Sequence, residues 1–431
     1  MRTVLNHFGN SARRADTTLG EKNVVCALRA HRLSGISALF FAGVALAGCS
    51  PKQEAVKALQ DKPLAAYQNE LINLAFETAT MIPVNPHIKD RSKTQAAVAT
   101  VCFELDQPQR ALGYIEKIGD WRRGLGYADY AFYCAKHGCT NELPRYLDLA
   151  EQISAIADQD WRRDRIKVRI AQTHLLLGQT NQSARFTASL ENSESGKAEQ
   201  VKATLCKEDD FDDQMNVVDK LVAIGDFELV KNALYAGVRL FDCFYDDTER
   251  RPKIEEKIKT SWNSLPIFVR IEILMEMAKT ALQHTDQPKA LELVNDAKTI
   301  MDSFDWPAEY HIPMAARLAA LRCRAGDVAT AQTDLKTEQQ LFNDKQSEII
   351  NIDKADTLIP VAEAFQTMSD TAGALAAYKQ AVEAAVENPN ARPRAEDLSA
   401  ICLSMAKYTV EPDTALWLRI REIKGALGEP W

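Results

Sequence analysis

The stretch Leu358 to Ala381, LIPVAEAFQTMSDTAGALAAYKQA, contains two runs of helical periodicity separated by Ser369-Asp370. Apolar and small residues recur in each run at three- and four-residue spacing, which is typical of an amphipathic helix. Small residues let two helices approach closely, since the distance between helix axes depends on the side chains at the contact. The stretch therefore predicts two antiparallel helices joined by a short turn. The positions that carry the pattern are Leu358, Val361, Ala362, Phe365, Ala374, Tyr378 and Ala381.

Turns of the same kind recur along the chain, with 33, 40, 47, 60, 41, 43 and 41 residues between them. We place them at Leu105-Asp106, Gly138-Cys139, Gly178-Gln179, Gly225-Asp226, Thr285-Asp286, Gly326-Asp327, Ser369-Asp370 and, more weakly, Val410-Glu411. The small or apolar residues expected in the first helix of each pair are Ala99, Ala131, Ala171, Val218, Ala278, Ala319, Ala362 and Leu403. Those expected in the second helix are Ala111, Leu143, Ser183, Val230, Ala290, Ala331, Ala374 and Ala415. No run alternates as a strand would, so the sequence predicts an all-α protein.

This pattern resembles the tetratricopeptide repeat, best at Leu358 to Ala381 and nearly as well at Leu274 to Ala297. Only the first spacing is near that family's period of about 34 residues, so the likeness is loose elsewhere. The resemblance implies a right-handed α-solenoid of about seven or eight antiparallel helix pairs. It also implies a binding groove lined by the first helix of each pair. The residues that map to that groove are Phe132, Arg165, Gln172, Asp219, Lys279 and Glu363.

The N-terminal region contains a short apolar run, Ile36 to Gly48, after a basic segment. The run is shorter than the roughly 17 to 25 residues of a membrane-spanning helix. It closes with Leu46-Ala47-Gly48-Cys49, and in this it resembles a bacterial lipoprotein signal peptide. The resemblance implies acylation of Cys49, such as palmitate, and cleavage before it. An uncleaved signal anchor is the alternative, and a translation start at Val24 or Val25 remains open because the leader is long.

The resulting organisation is a signal peptide at 1–48, a lipidated tether at 49–61 and a solenoid at 62–431. Within the solenoid, the 60-residue interval predicts an irregular insertion around 241–265, either an extra helix or a lid. Ser50 follows the cysteine in place of the Asp that retains lipoproteins of this kind in the inner membrane. The resemblance therefore favours the outer membrane, periplasmic face.

Charge argues against nucleic acid as a partner. The whole chain has 52 basic and 60 acidic side chains, and without residues 1–48 it has 46 and 58, a net charge of −12. A nucleic-acid binder is expected to carry a basic patch. Membrane attachment is therefore expected to come from the lipid and not from the protein surface.

The cysteines do not predict a disulfide framework, because seven remain after Cys49 at irregular spacing. Most are expected to be buried small residues. Cys134, His137 and Cys139 have the chemistry of soft metal ligands, but no second ligand pair accompanies them. We predict no metal and no cofactor. A disulfide between Cys102 and Cys134, which occupy equivalent positions of neighbouring repeats, is conceivable.

A tetrapeptide is duplicated: Asp120-Trp-Arg-Arg123 recurs as Asp160-Trp-Arg-Arg163. Asp favours helix N-termini and Trp can cover the preceding helix pair, so the motif is interpreted as a helix-entry device. An anion site lined by the arginines is the functional alternative.

No nucleophile elbow, Walker loop, zinc-protease motif or dinucleotide fingerprint is present in the sequence. We therefore predict no catalytic residues and no enzyme, but a membrane-anchored scaffold of the bacterial cell envelope that binds partner proteins or peptides. One alternative is a helical-toroid enzyme acting on cell-wall or polysaccharide glycans, whose paired carboxylates could be distant in the chain. The other is an accessory lipoprotein of an outer-membrane assembly complex.

Overall fold

The structure, a computed structural model, describes residues 59–188, 190 and 210–431. Helices make up most of these ranges, and no strand lies in them. The helices are α1 Ala66–Met81, α2 Ile88–Glu104, α3 Pro108–Ile115, α4 Arg122–Lys136, α5 Leu143–Ile156, α6 Asp160–Leu176, α7 Thr180–Thr187, α8 Phe211–Ile224, α9 Phe227–Cys243, α10 Arg250–Ser261, α11 Ile267–Gln283, α12 Gln287–Asp302, α13 Ala308–Arg324, α14 Val328–Lys345, α15 Asn351–Thr367, α16 Thr371–Val386, α17 Ala391–Lys407 and α18 Thr414–Gly425. The predicted all-α repeat fold is confirmed.

A residue of left-handed backbone conformation ends one helix at each turn that the sequence predicted. Six of the eight lie at the predicted first turn position, whereas the first and last turns are shifted by one residue, to Asp106 in place of Leu105 and to Thr409 in place of Val410. The shift at the last turn makes Cys402, and not Leu403, the equivalent of the small helix residue. Cys402 is fully buried, as its counterparts are. The left-handed residues are Asp106, Gly138, Gly178, Gly225, Thr285, Gly326, Ser369 and Thr409.

Seven of these turns share one hydrogen bond that stops the helix. The amide after the left-handed residue donates to the carbonyl five residues earlier, as from Asp286 N to Ala281 O at 2.9 Å and from Asp370 N to Phe365 O at 2.9 Å. This bond satisfies a carbonyl that the helix end leaves unpaired. At Gly225 the amide of the next residue, Asp226, does not make this bond, and the helix ends with the glycine's own amide donating to Val222 O at 3.1 Å. The Gly225 turn is therefore of another kind.

The helices next to the Gly225 turn are also paired differently from the sequence prediction. The helix α10 lies in the segment predicted to be an irregular insertion, and it packs against α9 as the second helix of a pair. The helix α9 packs against α11 as one first helix packs against the next. The described residues thus contain eight pairs, within the predicted seven or eight. The first helices are α2, α4, α6, α9, α11, α13, α15 and α17, each followed by its second helix, while α1 and α8 are additional.

The array does not run simply from the N-terminus to the C-terminus. The helix α1 packs between α2 and α17, so the first described helix continues the row that the last pair would otherwise end. Gln68 Nε2 donates to Ala406 O at 2.8 Å, and Ser399 Oγ donates to Ala75 O at 3.2 Å. One hydrophobic core contains Leu71 together with Ile401, residues more than 300 positions apart. The two ends of the described chain thus form one continuous packing unit.

Five of the six cysteines among the described residues are unbridged. Cys102, Cys134, Cys139, Cys323 and Cys402 are not disulfide-bonded, so the conceivable link between Cys102 and Cys134 does not form. Burial raises the pKa of the Cys102 and Cys134 thiols to about 12. Cys243 is the exception, because it is disulfide-bonded and its partner lies outside the described residues.

The small-residue positions are buried, with one correction. The members predicted for the first helices are all below a tenth exposed, and so are those predicted for the second helices up to Ala374. Ala415, however, is exposed, and Leu416 occupies the buried position instead. The reason is the longer connection between α17 and α18, which places the cap of α18 at Asp413, whose side chain accepts from Leu416 N at 2.9 Å.

Replacing two glycines by alanine should change the stability in opposite directions, because only one of them has a left-handed backbone conformation. Gly178 has φ +71° and no atom within 4 Å of an added Cβ, whereas Gly113 lies inside α3 with equal space. We expect Gly178→Ala to lower the free energy of unfolding by about 1 kcal/mol, because a left-handed alanine is strained. Gly113→Ala should raise it by about 0.5 to 1 kcal/mol through helix propensity. Urea denaturation measures both, and equal effects would contradict the assignment.

The α1–α17 contact predicts coupling between the chain ends. Ala75 is fully buried in it, whereas Ala97 is exposed on the adjacent α2. Ala75→Asp should place an unpaired charge in the contact and accelerate amide hydrogen exchange throughout α17. Ala97→Asp, the matched control, should leave exchange in α17 unchanged. Protection of α17 that survives Ala75→Asp would show that the contact does not stabilise it.

Candidate functional site

The first helices α4 and α6 bring together three of the six predicted groove residues. Arg169 connects them: its Nε lies 2.7 Å from Asp129 Oδ1, and its Nη1 donates to Gln172 Oε1 at 2.9 Å. Its guanidinium carbon also lies 4.7 Å from the ring centroid of Phe132. We call Asp129, Phe132, Arg165, Arg169 and Gln172 the α4–α6 cluster.

The electrostatics of this cluster are set by burial. Burial raises the pKa of Asp129 above its ordinary value, while Arg169 and Arg165 oppose the shift. The Arg169 side chain is only 18% exposed and that of Asp129 is 29% exposed, so the pair is partly withdrawn from water. Such a pair is screened less than a surface ion pair and can recognise a polar partner group.

Lys279 belongs to a second polar group, between α9 and α11. Its Nζ lies 2.6 Å from Glu276 Oε1, one turn away on the same helix. Glu276 in turn acts on Arg239 of α9, whose pKa burial lowers to about 10. Charged side chains thus line the contact between these first helices as they do between α4 and α6.

Glu363 lies where α15 meets α17. Its Oε1 accepts from Ser404 Oγ at 2.7 Å, and Ser404 Oγ is also 2.7 Å from the hydroxyl of the fully buried Tyr378. Burial raises the pKa of Tyr378 far above its ordinary value. The chain of hydrogen bonds holds the Glu363 carboxylate in one position.

Asp219 does not join the others. It is exposed on α8 and forms an ion pair with Lys257 of α10. Because α8 is an additional helix and not the first helix of a pair, the repeat alignment that mapped Asp219 to the groove does not hold there. The six residues therefore lie at four places along the array, and only the three of the α4–α6 cluster are together.

Two members of the cluster, Asp129 and Arg169, were missed by the sequence reasoning. Each lies nine residues before the left-handed glycine of its turn, Gly138 or Gly178. Opposite charges at equivalent positions of neighbouring repeats are a signal that could have identified them.

The duplicated Asp-Trp-Arg-Arg motif forms an aromatic contact between neighbouring helix pairs. Trp121 and Trp161 meet edge to face with centroids 5.2 Å apart. Arg122 pairs with Asp120, and Arg162 Nη1 lies 2.7 Å from Asp158 Oδ1. Arg163 pairs with Asp160 as well, so three of the four arginines have a carboxylate partner already, which favours the structural interpretation over the anion site.

Cys49 and the signal peptide lie outside the described residues. In the part of the chain that the structure describes, no helix is both long and apolar enough to cross a membrane. Nor does that part contain three or more His, Cys, Asp or Glu side chains placed to hold a metal ion, and Cys134 of the metal alternative is buried.

The helix pairs define a helical-repeat protein, a class whose fold suggests a protein-interaction scaffold at most. No protein-family model matches the chain, and no curated protein matches it either. A solved structure described as a circular tandem repeat protein with novel repeat topology and enhanced subunit contact surfaces is similar over 84% of this chain and 94% of its own, at 13% identity and a TM-score of 0.25. At that TM-score the likeness carries no argument.

The ion pair in the α4–α6 cluster predicts a pH-dependent stability change. Arg169→Gln removes the opposing charge, so burial should raise the pKa of Asp129 further and cost about 1 to 3 kcal/mol of unfolding free energy at pH 7. A raised folded-state pKa of a carboxyl favours the folded state at low pH, so the loss should shrink near pH 4.

Arg185→Gln is the matched control, since Arg185 and Glu151 also lie 2.7 Å apart but are about half exposed. An exposed ion pair contributes little to stability, so the free energy of unfolding of this variant should equal that of the wild type at both pH values. Denaturant titrations of the three proteins at pH 4 and pH 7 measure the effect, and an Arg169→Gln loss independent of pH would contradict the Asp129 assignment.

Proposed function

We propose that the chain is a lipid-anchored interaction scaffold of the bacterial cell envelope, held at a membrane by acylated Cys49. The observation that carries the proposal is the row of first helices, whose polar side chains are spaced along a continuous series of packed pairs. Such a row can hold an extended polypeptide at several points, each with its own polar group.

The charges of the row specify the kind of partner. The α4–α6 cluster contains a carboxylate and two guanidinium groups, α9 and α11 contribute Arg239, Glu276 and Lys279, and α15 contributes Glu363. A partner segment that alternates acidic and basic side chains would complement this row. Phe132 offers an apolar contact at the same place, half-buried beneath Arg169.

The disulfide at Cys243 supports an exported location. Disulfides persist in oxidising compartments such as the bacterial periplasm and are rare in the cytosol. Export together with the Leu46 to Cys49 pattern is what we expect of a lipoprotein. Attachment to the outer membrane, on its periplasmic face, is part of the proposal.

A second candidate, the helical-toroid enzyme acting on cell-wall glycans, is favoured by one observation. The α1–α17 contact continues the row of helices through the chain ends, as a closed ring requires, and Asp129 is a carboxyl of raised pKa on that row. Release of soluble fragments from purified cell-wall glycan by the wild type and not by Asp129→Asn would promote it. We place it second because Arg169 engages that carboxylate.

A pull-down from detergent-solubilised membranes tests the scaffold. Full-length wild type should carry acyl mass on Cys49 and bring down a reproducible envelope protein, while Cys49→Ala should lack the acyl mass. The double variant Arg165→Glu, Lys279→Glu should reduce recovery of that protein at least about tenfold, because two charge reversals on the row oppose the partner's charges.

The control is Arg145→Glu, Lys336→Glu, which makes the same change of charge at exposed positions of second helices. It should leave recovery unchanged. Equal loss in both double variants would place the contact elsewhere, and an acylated bait that comes down alone would contradict the scaffold.

A further inference from the structure

The first helices are parallel, so the array has two distinct rims. Asp242 and His284 meet at the C-terminal ends of α9 and α11, with 2.8 Å between Oδ1 and Nε2. Trp121 and Trp161 meet at the N-terminal ends of α4 and α6. We call the side where first helices end the turn rim, and the side where they begin the N-terminal rim.

The chain enters the array at the turn rim and is held there. Lys62 N donates to Asp106 O at 2.9 Å, and Gln107 Nε2 donates to Lys62 O. The carboxylate of Asp61 accepts from Gln109 N at 2.7 Å and from Arg110 N at 3.2 Å, so it caps the start of α3 from outside that helix. These contacts fix residues 61 and 62 at the turn between α2 and α3.

The chain between this clip and the anchor is short. Leu59 is ten residues from Cys49, a separation that a polypeptide can span over at most about 35 Å. The 17-residue helix α2 is about 25 Å long. Bringing the N-terminal rim to the membrane would therefore take up about 25 Å of that maximum reach of about 35 Å, and a chain extended so far retains few conformations.

We propose that the turn rim faces the bilayer and that the N-terminal rim points away from it. This inference rests on the proposed anchoring through Cys49. The occupant of the turn-rim side is the lipid headgroup surface itself. Acidic N-caps of second helices lie along this rim, including Asp286, Asp327 and Asp370, and the first two have arginine partners, Arg251 and Arg322.

The opposite rim has a different chemistry. It carries the exposed apolar side chains Ile156, Ile224, Phe304 and Ile350, which are 81%, 62%, 39% and 57% exposed. In the proposed orientation these side chains point toward the surrounding compartment, where a protein partner can reach them. Insertion of this rim into the bilayer is the competing arrangement.

Energy transfer from protein to lipid distinguishes the two orientations. The acylated full-length protein is bound to vesicles that contain acceptor-labelled lipid. Each of four protein samples carries one donor, attached to a bioorthogonal amino acid. The donor positions are the two ends of α5, Asn141 and Ile156, and the two ends of α16, Thr371 and Glu387. We expect transfer efficiency at least about twofold higher from Asn141 and Thr371, since each helix separates its two donors by about 20 Å. Equal efficiencies, or higher transfer from Ile156 and Glu387, would overturn the proposal.

The clip itself is tested by Asp61→Ala combined with Gln107→Ala, which should reduce that difference in efficiency by half or more. Asp370→Ala removes a comparable helix cap, one that accepts from Gly373 N at 2.8 Å, far from the tether, and should preserve the difference. A difference that persists without the clip would overturn the role of residues 61 and 62. A protein that fails to bind vesicles at all would instead contradict the anchoring, so the two failures are separable.

Discussion

The packing of α1 against α17 is the contact on which the array depends. A helical-repeat array ordinarily has two terminal repeats, each of which must cover its apolar face with polar residues. Here the beginning and the end of the described chain cover one another, so Leu71 and Ile401 belong to a single core. Lys407 and Glu104, 2.9 Å apart, add a charged contact between α17 and α2 at the same place. The array is therefore stabilised at this point by both apolar burial and charge.

The local parts of the fold could be predicted from the sequence because they depend on short-range chemistry. Glycine at Gly138, Gly178 and Gly326 marks the left-handed residue directly, and the small residue seven positions earlier confirms the register. Thr285 and Ser369 adopt the same conformation without glycine, and there the following Asp, which caps the next helix, reveals the turn. At Thr409 neither signal is adjacent, which explains the error of one residue.

The long-range parts could not be predicted in this way. Nothing in the periodicity of α1 distinguishes a helix that packs on its neighbour from one that also packs on a helix 325 residues later. The pairing of α9 with α10 was missed because the Gly225-Asp226 turn has the composition of the others but lacks the hydrogen bond that they share. In the candidate site, the structure places Phe132 and Gln172 on neighbouring first helices, and Arg169, which connects them, emerged only from the geometry.

The meeting of the chain ends also determines when the protein can finish folding. Synthesis delivers α1 long before α17, so the apolar face of α1 has no complete partner until nearly all of the described helices are available. Contacts between distant parts of a chain form slowly, because loop entropy must be overcome before they contribute. In an exported chain, this surface would stay uncovered throughout passage across the membrane, when association with other apolar surfaces is a hazard. A protein built in this way depends on whatever shields α1 until α17 and α18 are available to cover it.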